Sequence, residues 1–414
     1  MIVEFRVKNF RSFRDEQILS FVATKNKAEQ VANAISTGIN AVPNILSSTV
    51  IYGANASGKS NLIKAIQYMK AVVIGSATKK PDQPFKQQQF RLDATSKSQD
   101  SEFEATFLID GVRYQYGFSL NSERITREYL LVYKSFKPQR WFDRSYNPET
   151  QKDEYEFSAS LKGKKSTWVE STRHNSLFLS MAVQLNSEML KPIFEWFSTN
   201  LVICNELSPL NAQFSIDKLR TQEGAKEICR FLNSADIDVD HIDIMTKKVP
   251  GQSVHFDFST GQTEVRREDV EENQLLFHHH TDTGKASFSL EEESEGTRNL
   301  LFLAGPILDI LNKGLVLLID ELDTSLHTLL VRRLIELFHN PSMNTKGAQL
   351  IFSTHDTSVL NSDVFTPDQI WFVEKDIDLA SNLFSLIEFS PRKNEALEKG
   401  YLIGRYGALP FFAD

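Results

Sequence analysis

Two cysteines, Cys204 and Cys229, are all that 414 residues contain, too few and too widely spaced for a disulfide framework or a zinc ribbon. They read as buried reduced thiols without a chemical role. Long apolar runs are missing as well. The longest, Leu300 to Leu311, has twelve residues and includes Pro306 and Asp309, well short of the ~20 that a membrane helix needs, so no membrane association is expected. The opening MIVEFRVKNF lacks a basic start, an apolar stretch and a cleavage site; it alternates apolar with polar residues, which predicts a strand and a cytoplasmic protein. Positive charge is not in excess either. A formal net charge of −8 argues against a surface built mainly to hold nucleic acid, because phosphate binding needs concentrated Lys and Arg. The short runs Lys79-Lys80, Lys162 to Lys165 and Lys247-Lys248 read as solvated charge. Internal repeats and sustained heptads are absent, which excludes a solenoid and a long coiled coil.

What is there is an ordinary globular composition, 41% hydrophobic and 24% charged. The strand Val50-Ile51-Tyr52 runs into GANASGKS and then into a segment of helical period, Asn61 to Val73, a β-loop-α unit. In EATFLIDGVRYQYGFSL, Asp110-Gly111 separates two alternating runs as a hairpin turn, with further strands expected through Phe142. From Thr172 to Ala235 the pattern is helical, before strands return at Val254 to Phe258. After residue 285 the order becomes helix (Thr297 to Leu311), buried strand (Leu315 to Ile319), helix (Leu326 to His339) and strand (Gln349 to Ser353). Two more strands and a C-terminal helix follow, which gives α/β architecture of parallel character. The expected organisation is a split domain, 1–140 with 286–414, interrupted by a mainly helical insertion at 141–285 whose Phe- and Trp-containing helices are either core or interface.

Three motifs carry chemistry. Gly53-Ala54-Asn55-Ala56-Ser57-Gly58-Lys59-Ser60 fits the phosphate loop GxxxxGK[ST]. Its backbone amides and the N-terminus of the next helix suit phosphate oxygens, Lys59 reaches the β- and γ-phosphates, and Ser60 ligates magnesium. The buried strand Leu315 to Ile319 ends in Asp320-Glu321, where Asp320 suits the Mg2+ shell and Glu321 suits polarisation of the attacking water. The strand Gln349 to Ser353 delivers His355 to the same sheet edge of a doubly wound fold. Together they predict a nucleotide site with Lys59, Glu321 and His355 as catalytic residues and Asn61 beside the loop. An Asn-Lys-x-Asp base-reading segment after Asp320-Glu321 is missing, so ATP is preferred over GTP.

The series Asp320-Glu321-Leu322-Asp323-Thr324-Ser325-Leu326-His327, followed by Ser353-Thr354-His355, resembles the Walker B, D-loop and H-loop segments of ABC-type ATPases. The branch it resembles is the AAA15 group of stand-alone bacterial ATPases, near the OLD-like, RloA and AbiL abortive-infection proteins. The openings and endings VKNFRSF, DGVRYQYGF and LIGRYGALP share in that likeness, which is weakest from about 140 to 285. The resemblance implies an ABC-type P-loop NTPase fold with an antiparallel β subdomain. It further implies that Ser294, Gly296 and Thr297 stand in for the ABC signature, with Ser294 and Gly296 reaching the γ-phosphate held by another subunit in a head-to-tail homo-oligomer. Read locally, Ser294 or Thr297 is simply a helix cap. A Q-loop residue is implied among Gln87, Gln88 and Gln89; Gln88 is named here, and an ordinary surface loop is the alternative. As to role, the resemblance implies an ATP-hydrolysing switch in antiviral defence that controls a separately encoded toxic effector, such as a TOPRIM-like nuclease. A DNA-handling ATPase of the recombination or chromosome-maintenance kind is the alternative.

Three further signals are discounted. His278-His279-His280 sits on a strand, where consecutive residues face opposite sides and cannot easily share one ion, so these histidines are expected to be exposed or partly packed. Asp376-Ile377-Asp378 reads as a turn after the strand Ile370 to Val373. Phe10, Arg11 and Phe13 either flank an adenine or, for the two Phe, belong to the core.

Overall fold

The computed structural model describes residues 1–24, 33–86, 88–204, 212–256, 263–324, 328–392 and 395–409. Of the residues singled out in the sequence, Gln87, Ser325, Leu326, His327 and Pro410 lie outside the described residues. The chain divides into two compact units, Met1–Glu206 with Ile310–Asp414, and Leu207–Asp309.

In chain order, β1 (Ile2–Lys8) and β2 (Gln17–Ser20) are followed by β3 (Ala34–Ile39), β4 (Val42–Leu46) and β5 (Ser48–Tyr52). A meander comes next: β6 (Ser101–Ile109), β7 (Val112–Leu120), β8 (Ile125–Tyr133), β9 (Gln139–Asn147) and β10 (Lys152–Phe157). β11 (Leu201–Cys204) precedes the second unit, which holds β12 (His241–Phe256), β13 (Thr263–Thr281) and β14 (Gly284–Ser289). The first unit resumes with β15 (Val316–Ile319), β16 (Gln349–Ser353), β17 (Ile370–Lys375) and β18 (Ser381–Ser385).

Two sheets build the first unit. The antiparallel one has the order β10-β9-β8-β7-β6-β1-β2. Its strands alternate as sheets with one covered face do: in β6, Phe103 and Ala105 are buried between half-buried neighbours. Asp110 (φ 47°) and Gly111 (φ 74°) make the β6–β7 hairpin turn, with Ile109 opposite Val112, as the Asp-Gly signal predicts. The other sheet has the order β11-β15-β16-β5-β17-β18 and is parallel except at β18. Its central strands, STVIY, VLLI and QLIFS, are buried at every position. That burial on both faces explains why they read as continuous apolar runs. The fold is thus a P-loop α/β fold with an antiparallel β subdomain.

Residues 141–204 pack with the first unit, whereas the sequence placed an insertion boundary at 141. The physical reason is that β9 and β10 extend the antiparallel sheet. The short helices Lys165–Ser171, Phe178–Gln184 and Lys191–Glu195 bring Trp168, Phe178, Trp196 and Phe197 into the main core, and Trp196 stacks on Phe107 at 4.1 Å. These aromatic residues are core.

The second unit contains the helices Ala212–Leu219 and Gln222–Ser234, the three-stranded sheet β12-β13-β14 and most of the helix Glu295–Lys313. Pro306 lies inside that last helix. Having no N–H, it leaves the carbonyl four residues back without its helical donor. Ser215 Oγ donates to this carbonyl, Phe302 O, at 3.0 Å and accepts from Gly305 N at 3.0 Å. A Cβ at Gly305 would stand 2.7 Å from Ser215 Cα, so glycine permits the close approach. Among the described residues, no helix is long and apolar enough to cross a membrane.

Candidate functional site

The phosphate loop follows from where β5 ends. β5 lies between β16 and β17, so Gly53 emerges in the middle of the parallel sheet. The loop closes through Ala56 (φ 61°) and Gly58 (φ 124°) into the helix Lys59–Gly75. A Cβ at Gly58 would stand 2.4 Å from Ser381 Oγ and 2.9 Å from Ser12 Oγ, in a backbone region L side chains avoid, so only glycine fits. Ser381 Oγ donates to Ser57 O, Ser381 N donates to Ser12 O at 2.7 Å, and Asn61 Nδ2 donates to Ser12 Oγ at 2.8 Å. Among the described residues, no side chain caps the N-terminus of the helix, and Ser57 Oγ is buried without a partner. An uncapped N-terminus behind a glycine loop suits an anion.

Lys59 is 5% exposed. Its Nζ donates to Gly53 O at 2.7 Å and Ala54 O at 3.3 Å, and lies 3.5 Å from His355 Nδ1. Burial pushes its ammonium down to about 8, against the pull of Glu321, Asp320 and Asp323. A bound polyphosphate favours the charged form, so the bound lysine titrates higher than the free one, and binding above about pH 8 must take up a proton. Nucleotide affinity is therefore expected to weaken by up to about tenfold per pH unit above that point. Calorimetry in buffers of different ionisation enthalpy reads the proton directly. A flat affinity and no proton uptake would show that Lys59 does not meet the phosphates.

β15 delivers Asp320 and Glu321, and β16, its parallel neighbour, delivers Ser353 and His355. Ser353 ties the two strand ends together: its Oγ donates to Asp320 Oδ1 at 2.6 Å and accepts from Glu321 N at 2.8 Å. Glu321 takes a left-handed backbone conformation (φ 52°). His355 N donates to the Asp323 carboxylate at 3.2 Å and 3.3 Å, and His355 Nε2 is 3.8 Å from Glu321 Oε1. The imidazole thus has Lys59 at one nitrogen and Glu321 at the other. An ammonium facing Nδ1 assigns the ring proton to Nε2, directed toward Glu321. His355 and Glu321 side chains are 37% and 46% exposed, open enough for water to reach the carboxylate.

Ser60 and Asp320 supply a hydroxyl and a carboxylate, the hard oxygen donors that Mg2+ takes, and so fit that ion. Cys204 and Cys229 are free thiols, both pushed up by burial.

Beside the loop, Arg11, Ser12, Asn61, Gln88, Gln89 and Lys375 line a hollow of about 420 Å³. Gln88 is held there through its carbonyl, which accepts from Arg11 N at 2.5 Å. Arg11 NH1 donates to Asn61 Oδ1 at 3.4 Å, while its Nε is buried without a partner. Phe10 and Phe13 are 1% and 0% exposed; Phe10 packs on Tyr68 and Phe103 at 5.4 Å each. Both Phe are core, and Arg11 alone of the three lines the hollow. Asp376 and Asp378 form the turn after β17 and pair with Arg14 at 3.4 Å and 2.8 Å.

Ser294, Gly296 and Thr297 lie in the second unit. Ser294 Oγ accepts from Thr297 N at 3.0 Å at the start of the helix Glu295–Lys313, so within one chain Ser294 is the N-cap. Two contributors to the site have no role readable from sequence: Ser353 is part of the quoted Ser353-Thr354-His355 segment without a task assigned to it, and Ser381 has no motif. Ser353 and Ser381 sit at a strand end and a strand start, and only the pairing of distant strands gives them partners.

A buried parallel sheet that presents a phosphate loop, a carboxylate pair and a histidine at one edge defines a P-loop ATPase of the AAA/ABC-like class. Over residues 48–361 the chain matches the family described as AAA domain, putative AbiEii toxin, Type IV TA system, and it belongs to that family. No curated protein matches it. Among solved structures it is similar to an Smc head bound to the C-winged helix domain of ScpA, at 15% identity and a TM-score of 0.38, covering 93% of this chain and 97% of that one.

Proposed function

We propose that this protein is an ATP-hydrolysing switch of an abortive-infection-type antiviral defence system, one that closes head to tail around ATP and controls a separately encoded toxic effector. The observation that carries the reading is the run Lys59, His355, Glu321 across one sheet edge, with 3.5 Å and 3.8 Å between successive groups. The toxin–antitoxin wording of the family description supports the defence role. Lys59 would hold the γ-phosphate, exchanging its bonds to Gly53 O and Ala54 O for phosphate oxygens. Glu321 would take the proton of the water that attacks phosphorus as the bond to ADP breaks, releasing phosphate. His355, polarised by Lys59, would hold the phosphate near that carboxylate. Ser60 and Asp320 would hold magnesium, which would supply charge neutralisation when bound. Ser294 and Gly296 of a second copy would complete the site.

The test is the Glu321→Gln protein purified together with the product of its neighbouring gene, sized by light scattering with and without ATP-magnesium. The expected result is an ATP-locked assembly of at least two copies that retains or ejects a second protein. For the unaltered protein, specific activity should rise with enzyme concentration at the low end, as assembly-dependent sites do. A Glu321→Gln protein that stays monomeric and alone overturns the switch. ATP-stimulated, salt-sensitive DNA binding by that monomer would point instead to DNA handling.

A further inference from the structure

We infer that the second unit carries a divalent transition-metal site made by His241, Asp243 and His278. The inference is independent of the nucleotide site.

Its basis is strand register. His241 on β12 stands directly opposite His278 on β13, which stands directly opposite Ser287 on β14, a row across three strands. Asp243 is two residues from His241 and so shares its face. Asp243 Oδ2 lies 3.0 Å from His278 Nε2 and 4.0 Å from His241 Nε2, and one ligand atom from each residue falls within 4.8 Å of the others. Tetrahedral ligands at ordinary metal–nitrogen and metal–oxygen lengths stand about 3.3 Å apart, between the two distances observed.

The outer partners strengthen the case. His241 Nδ1 lies 3.2 Å from Asp240 Oδ2, and His278 Nδ1 lies 2.8 Å from Ser287 Oγ. In both rings Nδ1 is engaged and Nε2 faces Asp243, the arrangement in which an outer carboxylate or hydroxyl fixes the tautomer of a metal-bound imidazole. His279, by contrast, faces the other way, toward Asp238 O at 2.6 Å and Glu293 at 2.8 Å. Consecutive histidines therefore do not share the site, and the second imidazole comes from the neighbouring strand.

Two imidazoles and one carboxylate select Zn2+, Co2+, Ni2+ or Fe2+ over Mg2+ and Ca2+. The side chains of His241 and Asp243 are 54% and 56% exposed, so an ion reaches them from solvent and keeps an open coordination position. The rings stack at 4.1 Å with 5° between planes. Each lone pair lies in its ring plane, so binding must turn the rings toward one another about χ2, a soft torsion in histidine.

The test uses the full-length, untagged, nucleotide-free chain in the Ser60→Ala/Asp320→Asn background, which removes the other cation position. Co2+ and Zn2+ alone are the probes, followed by the visible Co2+ bands and by calorimetry. One saturable equivalent is expected, abolished in His278→Ala and in Asp243→Asn, with folding checked by circular dichroism. Asp240→Asn, which removes no ligand, should weaken binding about 10–100-fold. Absence of a saturable equivalent, binding that survives Asp243→Asn, or binding indifferent to Asp240→Asn each overturns the site, the last two leaving adventitious surface histidine binding only.

Discussion

Replacing Glu321 by Gln lowers ATP turnover about 10²–10⁴-fold, the usual contribution of a positioned general base, while nucleotide still binds. The substitution keeps the shape of the side chain and removes its ability to take a proton. It leaves the backbone intact as well, because Glu321 is held through its N–H to Ser353 and through Leu322–Thr324, which fold into a short 3-10 turn. Asp320→Asn would be less informative: Asp320 accepts from Ser353, so altering it perturbs the support of Glu321 too. Single-turnover phosphate release, measured beside equilibrium ATP affinity, separates chemistry from binding. A loss below tenfold, with affinity unchanged, would assign the base elsewhere.

The largest expected effect on stability lies far from the phosphate loop. Glu128 is fully buried and accepts from Phe178 N at 2.6 Å, Leu179 N at 2.9 Å and Tyr116 OH at 3.0 Å, with Arg144 at 3.7 Å. Burial pushes its carboxyl up, against the opposing pull of Arg144 and those donors. Glu128→Ala leaves three buried donors without an acceptor and withdraws one anion from a buried guanidinium, and is expected to cost about 3–5 kcal/mol. Arg144 keeps Asp153 at 2.9 Å and Ser176 O at 2.6 Å, which holds the cost to that range. Urea unfolding at neutral pH checks it, with Glu128→Gln losing less because an acceptor oxygen remains. A change under 1 kcal/mol would mean that the carboxylate contributes little beyond filling space.

The two residues show what a sequence can and cannot disclose. Glu321 stands out in the sequence because its pattern is local: a buried strand, two acids and a loop. Glu128 sits in REYLLVY on β8, where one charge in an alternating strand looks like any solvent-facing position; its partners come from β7, β9 and a helix 50 residues on. The boundary at 141 cuts through β9 for a related reason: the strand signal is followed only through Phe142, and the rest, DRSYN and KDEYEF, is rich in charge. β13 hides similarly: TEVRREDVEENQ has little apolar alternation, and the pairing of His278 with His241 exists only through register. Ser294 shows the converse. Sequence found the helix start, and the structure of one chain gives it the duties of a cap.

One feature of the phosphate loop bears on how the chain is made. Gly58 is packed against Ser12 and Ser381, and Gly53 against the backbone of Val373, so the loop and its last wall are about 320 residues apart in synthesis. At ~5–20 residues per second, about 15–60 s pass between the ribosome's release of the loop and the arrival of its last wall. Through that interval β5, apolar on both faces, has neither of its neighbours, β16 and β17. Nascent chains should therefore bind no nucleotide and depend on chaperones, and the ability to bind ATP should appear only after Val373 and Ser381 have been made.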